Sequence, residues 1–91
     1  MSGEWAVKFS ISAERDFARL DSTIRRRIIE KLEWLEDHFD ETVSDTLHGE
    51  FSEFLKLRVG DWRVVYTVAR EKRIITVHYI DHRDKIYKRK L

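Results

Sequence analysis

The side chains best suited to chemistry in this sequence lie in its C-terminal half. Lysine, arginine, histidine and tyrosine side chains can together hold an anion, accept a proton and donate one. The candidates of these types are Lys56, Arg58, Arg63, His82, Arg83 and Tyr87. Such a set predicts a site for a phosphate group, provided that the fold brings the earlier and the later residues together.

Three of these candidates lie in the stretch 54–68, whose pattern predicts a β-hairpin. β-favouring residues alternate on both sides of Gly60 and Asp61, a pair typical of a two-residue turn. With those two residues as the loop, the facing pairs are Arg58 with Arg63, Leu57 with Val64 and Leu55 with Tyr66. One face is then apolar and the other cationic. Because like charges that face each other destabilise a ladder, we expect a carboxylate or a bound anion between the two arginines.

Metal-independent cleavage of RNA needs a base for the 2′-hydroxyl, cations for the charge on the phosphorane and an acid for the 5′-oxygen. Lys56 is the candidate base, because crowding by two arginines disfavours its charged form. The arginines at positions 58, 63 and 83 can hold the scissile phosphate through paired donors. His82 is the candidate acid, since imidazole exchanges protons near neutral pH, and Tyr87 could stack on a base or join the proton transfer. Taken singly, each of these side chains except Arg63 is more typical of a surface ion pair or of a core tyrosine than of a catalytic site.

The distribution of charge agrees with a phosphate-binding surface. Residues 1–53 carry 7 Lys+Arg against 13 Asp+Glu, a net charge of −6, whereas residues 54–91 carry 11 against 4, a net charge of +7. This polarity favours a protein that presents a cationic surface to a polyanion. Lys85 and Lys88, in the basic end of the chain, are accordingly predicted to contact RNA phosphates. The alternative is that the two halves neutralise each other in the fold.

Length and composition limit the class of protein. With 91 residues and no cysteine, the chain is expected to form a single domain, 1–91, without disulfides or a thiolate metal site. It has no apolar run of membrane-spanning length and no apolar segment of the signal-peptide type, so we expect a cytoplasmic protein. His78 and His82 would lie about 13 Å apart on a strand, too far to share a zinc ion. No metal or other cofactor is therefore expected, and His38, His48 and His78 are assigned structural roles.

The N-terminal part of the chain predicts one strand and two helices. Residues 4–9 alternate apolar and polar side chains, as in a strand with one buried face. Ser12 is the predicted N-cap of a short helix that ends near Leu20. Residues 21 and 22 then cap a longer helix, from about 23 to 38. The apolar stripes of the two helices comprise Ala13, Phe17 and Leu20, and Ile24, Ile28, Ile29, Leu32 and Leu35.

The remaining segments predict a loop, a central strand and a basic tail. Residues 40–49 lack periodicity and are rich in Asp, Ser and Thr, which indicates a loop. Residues 73–80 carry apolar or aromatic side chains on both faces, which indicates a strand covered on both sides. Residues 81–91 form a basic tail with a turn of helix or an extended end. The predicted order is β-α-α-β-β-β, an α+β fold in which a helical hairpin covers one face of the sheet.

Two long segments of the sequence resemble the RelE/ParE toxin superfamily, and its RelE branch in particular. They are LHGEFSEFLKLRVGDWRVVYTV and IITVHYIDHRDKIY, within a likeness that covers nearly the whole chain. The specific combination is an L-x-G loop, a K-L-R-x-G-x-x-R-V-x-Y hairpin and a terminal H-R-x-x-x-Y. The resemblance implies an α+β fold in which two N-terminal helices pack on a small, twisted, mostly antiparallel sheet.

The same resemblance implies a toxin that cleaves mRNA in the ribosomal A site without a metal, leaving a 2′,3′-cyclic phosphate. Such toxins are held inactive by an antitoxin, which we expect to be encoded beside this chain. The residues at positions matching the family's functional ones are Lys56, Arg58, Arg63, Arg83 and Tyr87. Phe54 departs from the pattern, since the best-known relatives carry a lysine there. In another branch a carboxylate before the hairpin acts as the base, and Asp45 stands at that place, with His82 also available.

Two alternatives to a ribosome-dependent nuclease stay open from the sequence. One is a ParE-like toxin that inhibits DNA gyrase without cutting RNA, although such chains generally lack the clustered cations and the terminal tyrosine. The other is a catalytically weak module that binds RNA or an antitoxin. The low overall net charge of +1 favours this second alternative.

Overall fold

The computed structural model describes residues 5–43 and 54–88, which form three helices and four strands. In chain order these are β1 (Ala6–Phe9), α1 (Ile11–Ala18), α2 (Ser22–Val43), β2 (Leu55–Val59), β3 (Trp62–Ala69), β4 (Ile74–His82) and α3 (Arg83–Ile86). The order confirms the predicted β-α-α-β-β-β succession. The basic tail begins with the single helical turn of α3. No helix within the described residues is long and apolar enough to cross a membrane.

The four strands form one mixed sheet in the order β1-β4-β3-β2. β1 runs parallel to β4, whereas β2 pairs with β3 and β3 with β4 in antiparallel fashion. β4 is therefore a central strand, as its apolar residues on both faces predicted. Because β4 ends beside the turn between β2 and β3, the chain that follows it emerges next to the hairpin.

The hairpin has the predicted register. The facing residues are Leu55 with Tyr66, Lys56 with Val65, Leu57 with Val64, Arg58 with Arg63 and Val59 with Trp62. Gly60 begins the turn with a φ of +59°, a conformation that side-chain-bearing residues rarely adopt. The turn glycine thus sets the register, and the register decides which side chains share a face.

One extra residue in β4 changes the orientation of its second half. Val65 of β3 faces Tyr79, but the next residue, Tyr66, faces Val77, which leaves His78 without a register partner. An inserted residue of this kind is a β-bulge, and it shifts the alternation of side chains by one position. Ile75 and Val77 point to the core before the bulge, and Ile80 does so after it.

Two side chains of the N-terminal segment hold the bulged part of β4. The hydroxyl of Ser10 donates to the carbonyl oxygen of His78 at 3.2 Å. The amide of Ile80 donates to a carboxylate oxygen of Asp16 at 2.9 Å. Since β1 ends at Phe9, α1 takes over the edge of β4 from that point and satisfies backbone groups that no strand pairs.

α2 lies across one face of the sheet, which we call the covered face. Near one edge the Glu36 carboxylate accepts a hydrogen bond from the amide of Val7, and near the other Arg27 lies beside Gly60. The nine residue steps from Arg27 to Glu36 span about 13.5 Å of helix. This is close to the roughly 14 Å that separates the two outer strands of a four-stranded sheet. The buried cluster on this face includes Ile28, Leu32, Leu35 and Phe39 from α2 and Val64, Tyr66, Ile75, Val77 and Ile80 from the sheet.

The opposite side of the sheet, which we call the open face, carries Lys56, Arg58, Arg63, Thr67 and Asp81 by alternation from the buried positions. Val65 and Ile86 are fully buried but do not belong to the cluster on the covered face. α3 contacts β3 and β4. One helical turn, anchored by one isoleucine, is thus the only described helix on this side.

Two predicted boundaries are wrong. α1 is capped by Ser10 rather than Ser12, because the Ser10 hydroxyl accepts the amide hydrogen of Ala13 at 3.1 Å. α2 continues to Val43, so the loop expected from residue 40 does not begin there. Phe39, which is 1% exposed, belongs to the core and extends the apolar stripe by a turn. The rest of the expected loop lies outside the described residues.

The caps and the inner stripes of the helices are otherwise as predicted, with one exception. Asp21 accepts the amide hydrogen of Ile24 at 3.0 Å and so caps α2. Ala13 and Leu20 are buried. Ile29, however, is 38% exposed, because the stripe of α2 drifts away from it toward the side occupied by Phe39.

Candidate functional site

The cations of the hairpin lie on the open face with the predicted facing pair. Arg58 and Arg63 stand opposite each other. The guanidinium of Arg63 turns toward the loop, where its Nη1 donates to the carbonyl oxygens of Gly60 and Trp62, each at 2.9 Å. On the other side of Arg63 the register places Asp81. The two carbonyl oxygens and the carboxylate of Asp81 therefore offset the positive charges of the facing arginines, so no bound anion is required.

The start of α3 is joined to the hairpin turn. The amide of Arg83 donates to the carbonyl oxygen of Asp61 at 2.8 Å. Its Nε lies 3.9 Å from a carboxylate oxygen of Asp61 and the same distance from one of Asp84. Both ion pairs are long and exposed, so they leave the guanidinium available to a phosphate. Arg63 and Arg83 thus flank the same turn.

Tyr87 and Lys56 meet across the open face. The ammonium nitrogen of Lys56 lies 5.2 Å from the centre of the Tyr87 ring. Tyr87 follows the buried Ile86 and is 69% exposed. A cation close to an aromatic ring is attracted by the negative charge on its face. The predicted approach of the tail to the hairpin is confirmed for these two residues, and it leaves both side chains accessible.

His82 does not join the cations of the open face. It faces Trp62, and the two rings pack edge to face with centroids 5.5 Å apart. Its Nδ1 accepts the amide hydrogen of Asp84 at 3.3 Å, so the imidazole caps α3. Because Asp81 shares a register position with Arg63, the next residue along β4 points to the other side. The expected convergence of His82 with Lys56 is therefore wrong in its geometry.

His78 is the residue that sequence reasoning missed. Its Nε2 lies 2.8 Å from the hydroxyl of Thr67, and its ring packs edge to face on Phe54 with centroids 5.3 Å apart. The alternation expected for β4 gave no sign of this orientation, because the bulge changes it. The signal available in the sequence was Thr67, a short polar residue between two bulky ones. His38, by contrast, is structural as predicted: it stacks on Trp34.

The remaining predicted site residues lie around the edge of this region or outside it. Lys85 lines a separate cavity of about 360 Å³ together with Asp16 and Arg19 of the α1 segment. Lys88 is exposed at the end of the described chain. Asp45 and His48 lie outside the described residues. The open face is therefore built from the hairpin, β4 and α3.

The described residues supply acid–base and cationic groups rather than a metal site. In the ranges 5–43 and 54–88 no three histidines or carboxylates lie close enough together to hold a metal ion. Burial raises the pKa of Tyr66 above 10.0, but this phenol lies on the covered face. The groups on the described part of the open face include an amine, guanidinium groups, an imidazole, the Asp81 carboxylate and an exposed phenol.

A helical layer on one face of a four-stranded mixed sheet is the architecture of the RelE-like toxins. The chain superposes on RelE of Pyrococcus horikoshii OT3, solved with RelB, at 22% identity over 88% of this chain and 96% of that one, with a TM-score of 0.70. It superposes on an Escherichia coli RelE mutant in the free state at 24% identity over 96% of this chain and 90% of that one, with a TM-score of 0.70. It also superposes on a chain of the toxin-antitoxin complex RelBE2 of Mycobacterium tuberculosis at 22% identity over 87% of this chain and 98% of that one, with a TM-score of 0.68.

The sequence itself gives the family. Residues 7–87 match the family of ParE toxins of type II toxin-antitoxin systems, parDE. No curated protein matches the sequence. Since the family match covers nearly the whole chain, the protein belongs to this toxin family, and its fold is that of the RelE toxins.

Proposed function

We propose that this toxin is a metal-independent endoribonuclease that cuts mRNA on the ribosome and so stops translation. The observation that carries the proposal is the convergence of the tail on the hairpin: Lys56 with Tyr87, and Arg63 with Arg83 at the turn. These four side chains supply the cations and the proton carriers that RNA cleavage requires.

The reaction proposed is an internal transfer at phosphorus. Lys56, in its neutral form, takes the proton of the 2′-hydroxyl while the 2′-oxygen bonds to phosphorus. The bond from phosphorus to the 5′-oxygen breaks, and Tyr87 gives that oxygen a proton. Arg63 and Arg83 hold the non-bridging oxygens, on which negative charge develops. The products are a 2′,3′-cyclic phosphate and a 5′-hydroxyl.

The outer residues are assigned binding and positioning roles. Arg58 and, toward the end of the tail, Lys85 and Lys88 contact phosphates on either side of the cut. His82 positions Tyr87, because its imidazole caps the helical turn that carries the tyrosine. This replaces the role of proton donor expected for His82, since that ring points away from Lys56.

A second candidate function is inhibition of DNA gyrase without nuclease activity. The match of residues 7–87 to the ParE toxin family favours it. The exposed group of Lys56, Arg83 and Tyr87 argues against it, because a toxin that only binds gyrase has no need of a proton carrier beside paired arginines. A catalytically weak binding module is the remaining alternative.

We further propose an antitoxin partner, encoded beside this chain. The similar toxins of Pyrococcus horikoshii and Mycobacterium tuberculosis were each solved in complex with an antitoxin. A free nuclease of this kind would stop growth, so a binding partner that covers the site is required for the cell to keep the protein. Co-expression with the adjacent reading frame should restore growth and yield a stable complex.

The test is controlled expression followed by mapping of RNA ends and of gyrase-cleaved DNA. We expect cuts in phase with codons of translated mRNA. Arg63→Ala and Arg83→Ala should each lower the cleavage rate about 10²- to 10³-fold while leaving the fold and antitoxin binding intact. Arg26→Ala, on the exposed side of α2, serves as the matched control. Cleaved DNA with intact mRNA would establish the gyrase function. If neither mRNA nor DNA is cut, the binding module is the remaining function.

A further inference from the structure

An aromatic cluster lies on the open face beside the proposed cleavage residues. The rings of Phe54 and His78 pack edge to face with centroids 5.3 Å apart, and those of His78 and Tyr79 lie 6.4 Å apart. Phe54 directly precedes β2 and lies two positions before Lys56, so continued alternation brings the two side chains out on the same face about 7 Å apart. The cluster therefore adjoins Lys56 and continues the open face away from the turn.

Thr67 makes room for this cluster. The register of Leu55 with Tyr66 places Thr67 next to Phe54, on the strand between Phe54 and His78. Its short side chain lets the two rings meet above β3, although Phe54 leads into β2 and His78 lies on β4, which is not a neighbour of β2. Its hydroxyl, 2.8 Å from His78 Nε2, fixes the plane of the imidazole. The β-bulge that turns His78 to this face is held in turn by Ser10.

Phe54 is an exposed aromatic residue on the open face. It is 40% exposed, whereas the apolar residues Val65 and Ile86 on the same face are fully buried. An edge-to-face pair leaves one face of the phenylalanine ring uncovered. An exposed ring next to cations is the combination with which proteins bind single-stranded nucleic acid, since the cations hold phosphates and the rings stack on bases.

We propose that Phe54 and His78 form a stacking subsite for the nucleobase of the nucleotide next to the cut. The proposal rests on the RNA-cleaving function proposed above and gives its binding face a second part. The phosphate lies at Lys56 and the turn arginines, and the adjoining base lies on Phe54, with His78 fixing the ring from the side. Because every base has an aromatic face, the subsite accepts all four bases. It also gives a role to the exposed ring of Phe54.

The experiment uses 2-aminopurine, a fluorescent adenine analogue whose emission falls when it stacks on a ring. The analogue is placed at successive positions of the A-site codon in mRNA on programmed ribosomes, and in the same RNA free in solution. A 2′-deoxy sugar at the cut removes the nucleophile and prevents cleavage. With the full chain, emission should fall at one position. Phe54→Leu should abolish this quenching and weaken RNA binding roughly 5- to 150-fold.

Two further variants separate stacking from loss of structure. Phe54→Tyr keeps the ring and should retain the quenching. Trp34→Leu removes another aromatic residue that is 40% exposed, but one on the helical layer, and should leave the signal unchanged. Quenching that survives in Phe54→Leu, or is absent from both RNAs with the full chain, overturns the subsite. If the quenching depends on Phe54 but no natural mRNA is cut, the subsite stands and the nuclease proposal fails.

Discussion

The two faces of the sheet differ in how far their side chains are buried. The covered face is closed by α2, and its side chains form one apolar cluster that contains Val64, Tyr66, Ile75 and Val77. Within residues 5–43 and 54–88, the open face is crossed only by the short α3, and the residues buried outside that cluster are Val65 and Ile86. Apolar burial of the kind seen on the first face is the dominant favourable contribution to folding. The second face can therefore hold facing arginines and exposed rings that a core would not tolerate.

This difference suggests that stability and activity can be altered separately. A change on the covered face should lower the free energy of unfolding and leave the chemistry intact as long as the chain stays folded. A change on the open face should do the reverse. A pair of variants with the same residue type on each face provides the most direct test.

The largest expected effect is that of Phe39→Ala on stability. Phe39 is 1% exposed and packs against Trp5, with ring centroids 4.4 Å apart. Removing a buried phenylalanine side chain leaves a cavity and should lower the free energy of unfolding by about 3–5 kcal/mol. Urea denaturation followed by far-UV circular dichroism measures the change.

Phe54→Ala is the matched variant on the open face. Phe54 is 40% exposed and packs on His78 edge to face, so the cost of removing its ring should be about 1 kcal/mol or less. Equal destabilisation by the two alanine variants would show that the open face contributes to the core after all, and the separation of the two faces would then be wrong.

The hairpin on the open face could be predicted from the sequence because its determinants are local. Gly60 and Asp61 mark the turn, and alternation on each side then assigns every facing pair. Arg58 opposite Arg63 followed from those two facts alone, and it is confirmed. The same reasoning gave the stripe of α2 and the central position of β4, since both follow from the period of apolar residues.

The second half of β4 could not be predicted in this way. Its orientation depends on the bulge at His78, and the bulge is held by Ser10, which lies 68 positions away in the chain. The alternation of residue types along β4 gives no indication of such a distant contact. The sequence therefore assigned His82 to the cationic site and His78 to the structure, whereas His82 packs on Trp62 and caps α3, and His78 lies on the open face beside Thr67 and Phe54. The N-caps of α1 and α3 likewise depend on which side chain, Ser10 or His82, turns back to the helix amides.

The second effect in size is that of Lys56→Ala on the RNA cleavage proposed above. Loss of a group that takes part in proton transfer costs about 10²- to 10⁴-fold in rate. We expect at least a hundredfold slower single-turnover cleavage on programmed ribosomes, with the urea midpoint unchanged. Lys72→Ala, in the exposed turn between β3 and β4, removes the same charge away from the site and should cleave at the normal rate. A comparable loss in both lysine variants would reduce the role of Lys56 to general attraction of RNA.

The smallest effect is a dependence of stability on alkaline pH, and it belongs to the covered face. Burial raises the pKa of Tyr66 above 10.0, so the folded chain keeps the phenol proton at a pH where the unfolded chain releases it. Its contribution is complete below pH 10 and is lost progressively as the pH rises above that value, because unfolding then releases a proton. Denaturation midpoints measured from pH 8 to 11 should therefore fall less steeply for Tyr66→Phe than for the unaltered chain. Identical slopes would mean that the Tyr66 hydroxyl reaches water and that the covered face is less closed at β3 than its burial indicates.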